Sequence, residues 1–356
     1  MILLYLATFI IIVFTAAFKQ NTIINNKYNN NALLFFLFIL FSVSIYHLEI
    51  QATPDLSNYF NRFWRLEGIQ FTELNFNFGE EPLFDLLQWL IVNTTGSFNF
   101  FLVTAWLIIF LNITFSVKRM FPANYILFVL FSFSCYFIFF SYILNTMRQG
   151  LAISFIILAI SLLITNRDKM LFYLSIVAAP LFHISALPIS VVLLITRFFD
   201  VKLKYILTAW VGAIFLFVTN LNSLLFSRFN HTLMDSYTSE GVLSSYSSTN
   251  RLDFLLFSVF FGVLFLLASK FFFNHQNKEY SELIKYYLIL NTYFLCLGFI
   301  GFSDRVASFS WMLIPILIWK VVPETTNARL KSLVIITSFL ISSFLIGSMD
   351  IILGAL

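Results

Sequence analysis

"MLFYLSIVAAPLFHISALPISVVLLIT", residues 170–196, is a long apolar run with Pro180, His183 and Pro188 breaking its middle. Taken as one membrane span, it inverts the orientation of everything that follows. Taken as a hairpin turning at "FHIS" (182–185), it leaves that orientation unchanged. Basic residues decide between the two, because Lys and Arg gather in cytoplasmic loops. The single-span reading leaves nine later basic residues outside and only Arg228, Arg251 and Arg305 inside. The hairpin reading puts fifteen basic residues inside and six outside over the whole chain. The hairpin is therefore the expected arrangement.

That choice presupposes a membrane protein, and the composition requires one. Of 356 residues, 60% are hydrophobic, only 11% are charged, and 48 are Phe. The mean hydropathy is +0.90. A soluble core cannot absorb so much apolar surface, so the fold class is all-α, a polytopic helical membrane protein. Apolar runs fall at about 1–18, 32–50, 99–117, 122–142, 149–165, 205–221, 253–273, 286–302, 306–322 and 332–350. They make about ten full spans in one transmembrane domain over 1–356. The run "PLFDLLQWLIVNTTG" (82–96) is short and carries Asp85. It is expected to dip into the membrane and return.

The first run has no basic residue before it and no small-residue cleavage site, so it is expected to be retained as a span. With the N-terminus outside, the C-terminus is outside too. Cys135 and Cys296 lie in apolar runs and are expected to be small core residues, not a disulfide. The net charge of +4 reports loop orientation, not nucleic-acid binding.

In this threading all eleven lysines are inside, and every outside basic residue is Arg: Arg62, Arg65, Arg148, Arg228, Arg251 and Arg305. Guanidinium is a rigid fork that matches phosphate bidentately and stays charged in a low dielectric. Outer arginines at span ends suit a phosphate-bearing ligand. The outer face also gathers the polar loops 51–81 and 222–252 and the stretch "NTMRQ" (145–149). Any site therefore faces outward.

Several chemistries lack their motifs. There is no GxxxxGK[ST] loop, no GxGxxG after a strand, no Asp-x-Asp pair, no HExxH and no CxxC. Neither a metal nor a cofactor is expected. A reaction outside the membrane then needs a donor already activated there, such as a lipid diphosphate-linked sugar.

Five stretches in order carry a resemblance. "NTMRQGLAISF" (145–155) resembles the N-x-x-R-Q-x-x-A signature of the EpsG family, and "FHISALP" (182–188) its His-x-Ser-Ala segment. Ile184 stands where Lys is common in that segment. "DLSNY" (55–59) and "GEEPLFDLL" (79–87) are similar to its first outer loop, and "DRVASFSWMLIPIL" (304–317) to its late Arg-led span. The resemblance implies a Wzy-type polysaccharide polymerase with a GT-C-like helical fold in a bacterial cytoplasmic (inner) membrane. It implies a glycosyltransferase that joins undecaprenyl diphosphate-linked oligosaccharide repeat units of an O-antigen, capsule or exopolysaccharide. Membrane lipids, a chain-length regulator and a flippase are its implied partners, and nucleic acid is not.

Residue roles follow from that implication. Arg148, beside Gln149 and Asn145, is the expected clamp on the donor diphosphate; otherwise it is an interfacial arginine snorkelling to headgroups. Arg305 and Arg251 are further phosphate ligands or local partners of Asp304 and Asp253. Arg62 and Arg65 flank Trp64, which together with Tyr59 suits sugar stacking or headgroup contact. The acceptor's general base is His183, Glu81 or Asp55, with burial expected to raise the carboxyls toward neutrality. Two rival activities remain open. One is a flippase for the same lipid-linked unit, which should show paired halves with interrupted spans. The other is an O-antigen ligase or membrane acyltransferase.

Overall fold

The structure is a computed structural model that describes residues 27–47, 54–74, 76–77, 81–135, 142, 145–226, 250–273 and 277–324. The spans expected at 1–18 and 332–350 lie outside the described residues, as does Arg228. The described residues are helical, with no strand among them. They form two compact units, one up to Leu194 and the other from Ile195.

The first unit begins with α1 (Lys27–Tyr46), α2 (Pro54–Arg65), α3 (Pro82–Thr95) and α4 (Phe98–Met120). It continues with α5 (Ala123–Cys135), α6 (Met147–Thr165) and α7 (Lys169–Phe182), and the unit boundary falls inside α8 (Leu187–Phe198). The second unit holds α9 (Leu203–Val218), α10 (Leu221–Phe226), α11 (Leu252–Phe273), α12 (Lys278–Leu297), α13 (Ser303–Trp311) and α14 (Ile314–Glu324). Four stretches are long and apolar enough to cross a membrane: Phe98–Met120, Met147–Thr165, Leu252–Phe273 and Ser303–Pro323. On α11, Leu256, Phe260, Val263, Leu267 and Phe271 form an exposed stripe at helical spacing. Such a stripe suits lipid rather than water.

Polar side chains fix the register of the first unit. Asn112 on α4 donates through Nδ2 to Ser154 Oγ on α6 at 3.0 Å. At the other end Arg119 pairs at 3.4 Å with Asp168, in the turn between α6 and α7. Helices α4 and α6 are therefore parallel, and α7 returns along α6. Asn112 lies fourteen residues after Phe98, whereas Ser154 lies seven after Met147. Helix α6 thus begins about 10 Å deeper than α4, at 1.5 Å per residue. Asn99 Nδ2 donates to Tyr46 O at 2.7 Å, which puts the end of α1 beside the start of α4. Tyr46 and Asn99 therefore lie at one end of the unit. Helix α3, at 14 residues, is about 21 Å long, shorter than a full span.

The break in 170–196 falls at His183, whose extended backbone ends α7 and precedes one 3-10 turn, Ile184–Ala186. Pro180 is accommodated inside α7 and does not itself stop the helix. Helix α7 packs along α6, and the short turn also leans on α6.

In the second unit α12 begins eight residues earlier than the run at 286–302 suggested. Its first turns are charged, so hydropathy misses them. Asn277 caps them, its Oδ1 accepting from Tyr280 N at 3.0 Å. Lys285 bonds Asp200 at 3.1 Å and Glu282 at 2.7 Å, and Lys320 bonds Glu279 at 2.6 Å. The core is threaded by polar contacts that apolar helices use to fix partners. Trp210 Nε1 donates to Asn291 Oδ1, and Trp311 Nε1 to Ser258 Oγ, each at 2.8 Å. Cys296 is a free, half-buried thiol.

Each unit sorts its cations by end. In the first, Lys27, Lys118, Arg119, Arg167 and Lys169 lie at the end marked by Arg119–Asp168, and Arg62, Arg65 and Arg148 at the other. In the second, Lys202, Lys204, Lys270, Lys278, Lys285 and Lys320 gather at the start of α12, whereas Arg251 and Arg305 flank its far end.

Candidate active site

Glu81 precedes α3, and its backbone is left-handed, φ 61 and ψ 58. A residue before proline avoids helical conformations, and an L-residue at positive φ is strained, so this placement needs support from the side chain. The carboxylate provides it. Oε2 accepts from Arg148 Nη1, and Oε1 contacts His183 Nδ1. Arg148 is the second residue of α6, and His183 sits at the break after α7. Three separate chain segments thus meet at one carboxylate.

Burial alone would push the Glu81 carboxyl up. The hydrogen bond and charge of His183, and then the charge of Arg148, outweigh it and hold the carboxyl below its ordinary range. This corrects the expectation that burial raises a first-loop carboxyl: Glu81 is a buried carboxylate held between Arg148 and His183. An ionised carboxylate only accepts, which assigns the proton between it and His183 to Nδ1 and leaves Nε2 as the imidazole's acceptor.

Tyr59 lies beside them. Its hydroxyl donates to Asn145 O at 3.1 Å, and Arg148 Cζ stands 5.6 Å from its ring centroid. Tyr59 is buried on α2 with Leu56 and Phe63, while Asn58, Asn61, Trp64 and Arg65 face out. Tyr59 therefore supports Arg148 and offers no open ring face for a sugar. Trp64 keeps such a face exposed.

One stripe of α3 braces this arrangement. Asp85 Oδ2 accepts from Arg62 Nη2 at 2.6 Å, and Oδ1 lies 2.6 Å from Nε in an ion contact. Gln88 Nε2 donates to Tyr59 O at 3.2 Å, and Trp89 Nε1 to Ile69 O at 2.7 Å. Asn93 accepts from Gly68 N at 3.0 Å and donates to Leu66 O at 3.2 Å. These residues recur at helical spacing, so the short helix is a shelf for α2 and its following loop. Arg62 is thereby engaged in the brace.

Of the expected site residues, the structure brings together Glu81, Arg148, His183 and Tyr59. Gln149 is buried next to Arg148, and Asp55 is half-buried one turn before Tyr59. Arg251 and Arg305 belong to the second unit. There Arg251 bonds Asp253 at 3.1 Å through Nε and lies 3.9 Å over Phe254, and Arg305 lies 4.2 Å over Phe302. Gln88 was not anticipated; its only signal is a lone amide inside an apolar run.

The helices and the Glu81–Arg148–His183 cluster define a helical membrane-embedded protein with a charged site at one end of its first unit. The chain belongs to the EpsG family, whose model matches residues 32–352, nearly all of it. EpsG-type proteins are Wzy-like polysaccharide polymerases. No curated protein and no solved structure matches the chain.

Proposed function

We propose that the chain polymerises undecaprenyl diphosphate-linked oligosaccharide repeat units on the outer face of the cytoplasmic membrane, in a GT-C-like fold of about ten spans. The observation that carries this is the contact of Arg148 and His183 with one buried carboxylate, Glu81. It couples an anion-binding fork to a proton acceptor, the two groups that transfer from a diphosphate donor needs. Family membership supplies the polysaccharide. The Arg-bearing ends face outward by the basic-residue rule.

In the reaction the acceptor hydroxyl oxygen attacks the donor's anomeric carbon, and the bond from that carbon to the diphosphate oxygen breaks. Its electron pair leaves with the diphosphate, where the Arg148 guanidinium stabilises the growing charge. The hydroxyl proton passes to His183 Nε2 and then to solvent. Glu81 holds Nδ1–H and stabilises the imidazolium that forms.

Cells carrying variants in place of the native protein test this through surface-polysaccharide ladders, with folded protein quantified in parallel. Arg148→Ala should abolish extension. Arg148→Lys should remain about a hundredfold slow, because a point ammonium cannot replace the fork. His183→Gln should bind lipid diphosphate and fail to extend it. Near-normal ladders from Arg148→Lys would reduce Arg148 to an electrostatic anchor, and normal ladders from His183→Gln would remove the base.

A further inference from the structure

We infer that Glu81 is an exchangeable counter-ion: the donor's diphosphate displaces its carboxylate from Arg148, leaving that carboxylate to His183 alone. The inference depends on the reading of Arg148 as the diphosphate clamp and deepens it.

The geometry is that of a site awaiting an acceptor. Glu81 meets Arg148 through a single nitrogen, Nη1, not through a two-pronged fork. The contrast is Asp85, whose two oxygens stand 2.6 Å from Nη2 and from Nε of Arg62. Arg148 Nε is buried with no hydrogen-bond acceptor. A buried orphan donor in a native structure calls for a partner that arrives later. Exposure supplies the route: a third of the Arg148 side chain is exposed, against 6% of that of Glu81. A ligand reaches the guanidinium from its open side while the carboxylate lies behind it.

The two carboxylate oxygens divide the work. Oε2 serves Arg148 and Oε1 serves His183. When a diphosphate takes the fork, repulsion between two anions loosens Oε2, and the His183 contact keeps Glu81 from leaving. Its undivided charge then faces the imidazole that must accept a proton. The base is fully supported only with donor in place, so a hydroxyl is not activated at an empty site. Glu81 is a positioning residue acting through Arg148 and His183, and it makes no bond to the reacting atoms.

This makes an unusual demand on binding. A residue that merely held Arg148 in place would weaken the ligand when removed. Removing a competing counter-ion strengthens it. Purified full-length protein in detergent, titrated with undecaprenyl diphosphate, should show Glu81→Gln binding roughly tenfold tighter than wild type, or more. The same variant should extend chains far more slowly. The gain should vanish when Arg148→Ala is added. Should Glu81→Gln not fold, Glu81→Asn serves, because Asn tolerates the left-handed backbone. Equal or weaker binding by a folded, neutral variant overturns the exchange while leaving the clamp intact. Arg148→Ala binding as tightly as wild type overturns the clamp and the exchange together. Phosphatidylglycerol as competitor separates sources of phosphate: displacement of the probe at equal concentration would make Arg148 a headgroup anchor and end the proposal.

Discussion

At Glu81 burial and charge pull in opposite directions, and the outcome sets its part in the chemistry. Desolvation favours the acid, but His183 and Arg148 together favour the carboxylate, and the net displacement is downward. A lowered folded-state value means stability gained on ionisation. That contribution is fully present above the ordinary 4.5 and is lost as pH falls through the lower folded value. Thermal unfolding of the purified protein should therefore lose stability below pH 4.5. Glu81→Gln should be less stable at neutral pH and flatter over the acid range. An acid limb identical in the two proteins would contradict the ion cluster. Each of the three residues was legible in the sequence as a polar group near an apolar run. Their contact was not, since Glu81 is 67 residues from Arg148 and 102 from His183. Only the helix topology closes those distances.

Two elements carry the site, and each depends on a close fit. Helix α6 starts against Tyr142, where a Cβ on Gly150 would lie 2.4 Å from Tyr142 Cβ and 3.2 Å from its Cα. Backbone stands behind that contact, so Gly150→Ala must shift the start of α6 and, with it, Arg148 two residues earlier. It should cost about 1–3 kcal/mol of stability and depress extension more than its expression level. Gly96, at φ 61 with open space around it, is the control: Gly96→Ala should cost about 1 kcal/mol through backbone strain and spare activity in the folded fraction. The second element is α3. Removing its brace with Asn93→Ala should loosen residues 66–68, visible as faster amide exchange there, because Leu66 O and Gly68 N both bond that one amide. Hydropathy found the spans with strong apolar signal; α11 begins one residue before the expected start. It misplaced the start of α12, since charged residues in ion pairs stand among the buried Tyr280, Leu283 and Ile284 and lower the hydropathy of those first turns. It read α3 as apolar and short, but the stripe of Asp85, Gln88, Trp89 and Asn93 acquires meaning only from what it touches.

Over the whole molecule the sorting of cations ties fold to function. Within each unit every described lysine lies at one end, and the arginines proposed to meet phosphate lie at the other. Cysteines introduced into a cysteine-free background at Asn61 and Leu252 should label from outside the cell with an impermeant thiol reagent. Those at Lys169, Asp200 and Lys278 should not. Outside labelling at Lys278 would reverse the second unit and remove Arg251 and Arg305 from the outer face. The sorting of cations was readable from the loops alone because it depends on residue type and order, whereas the offset of α6 from α4 by about 10 Å was not, since it depends on helix register. The most direct test uses purified protein in proteoliposomes supplied with one defined undecaprenyl diphosphate-linked repeat unit. The expected result is a ladder of longer lipid-linked chains with one undecaprenyl diphosphate released per added unit, abolished by Arg148→Ala. Movement of the unit across the bilayer with no ladder would contradict polymerisation and point to a flippase.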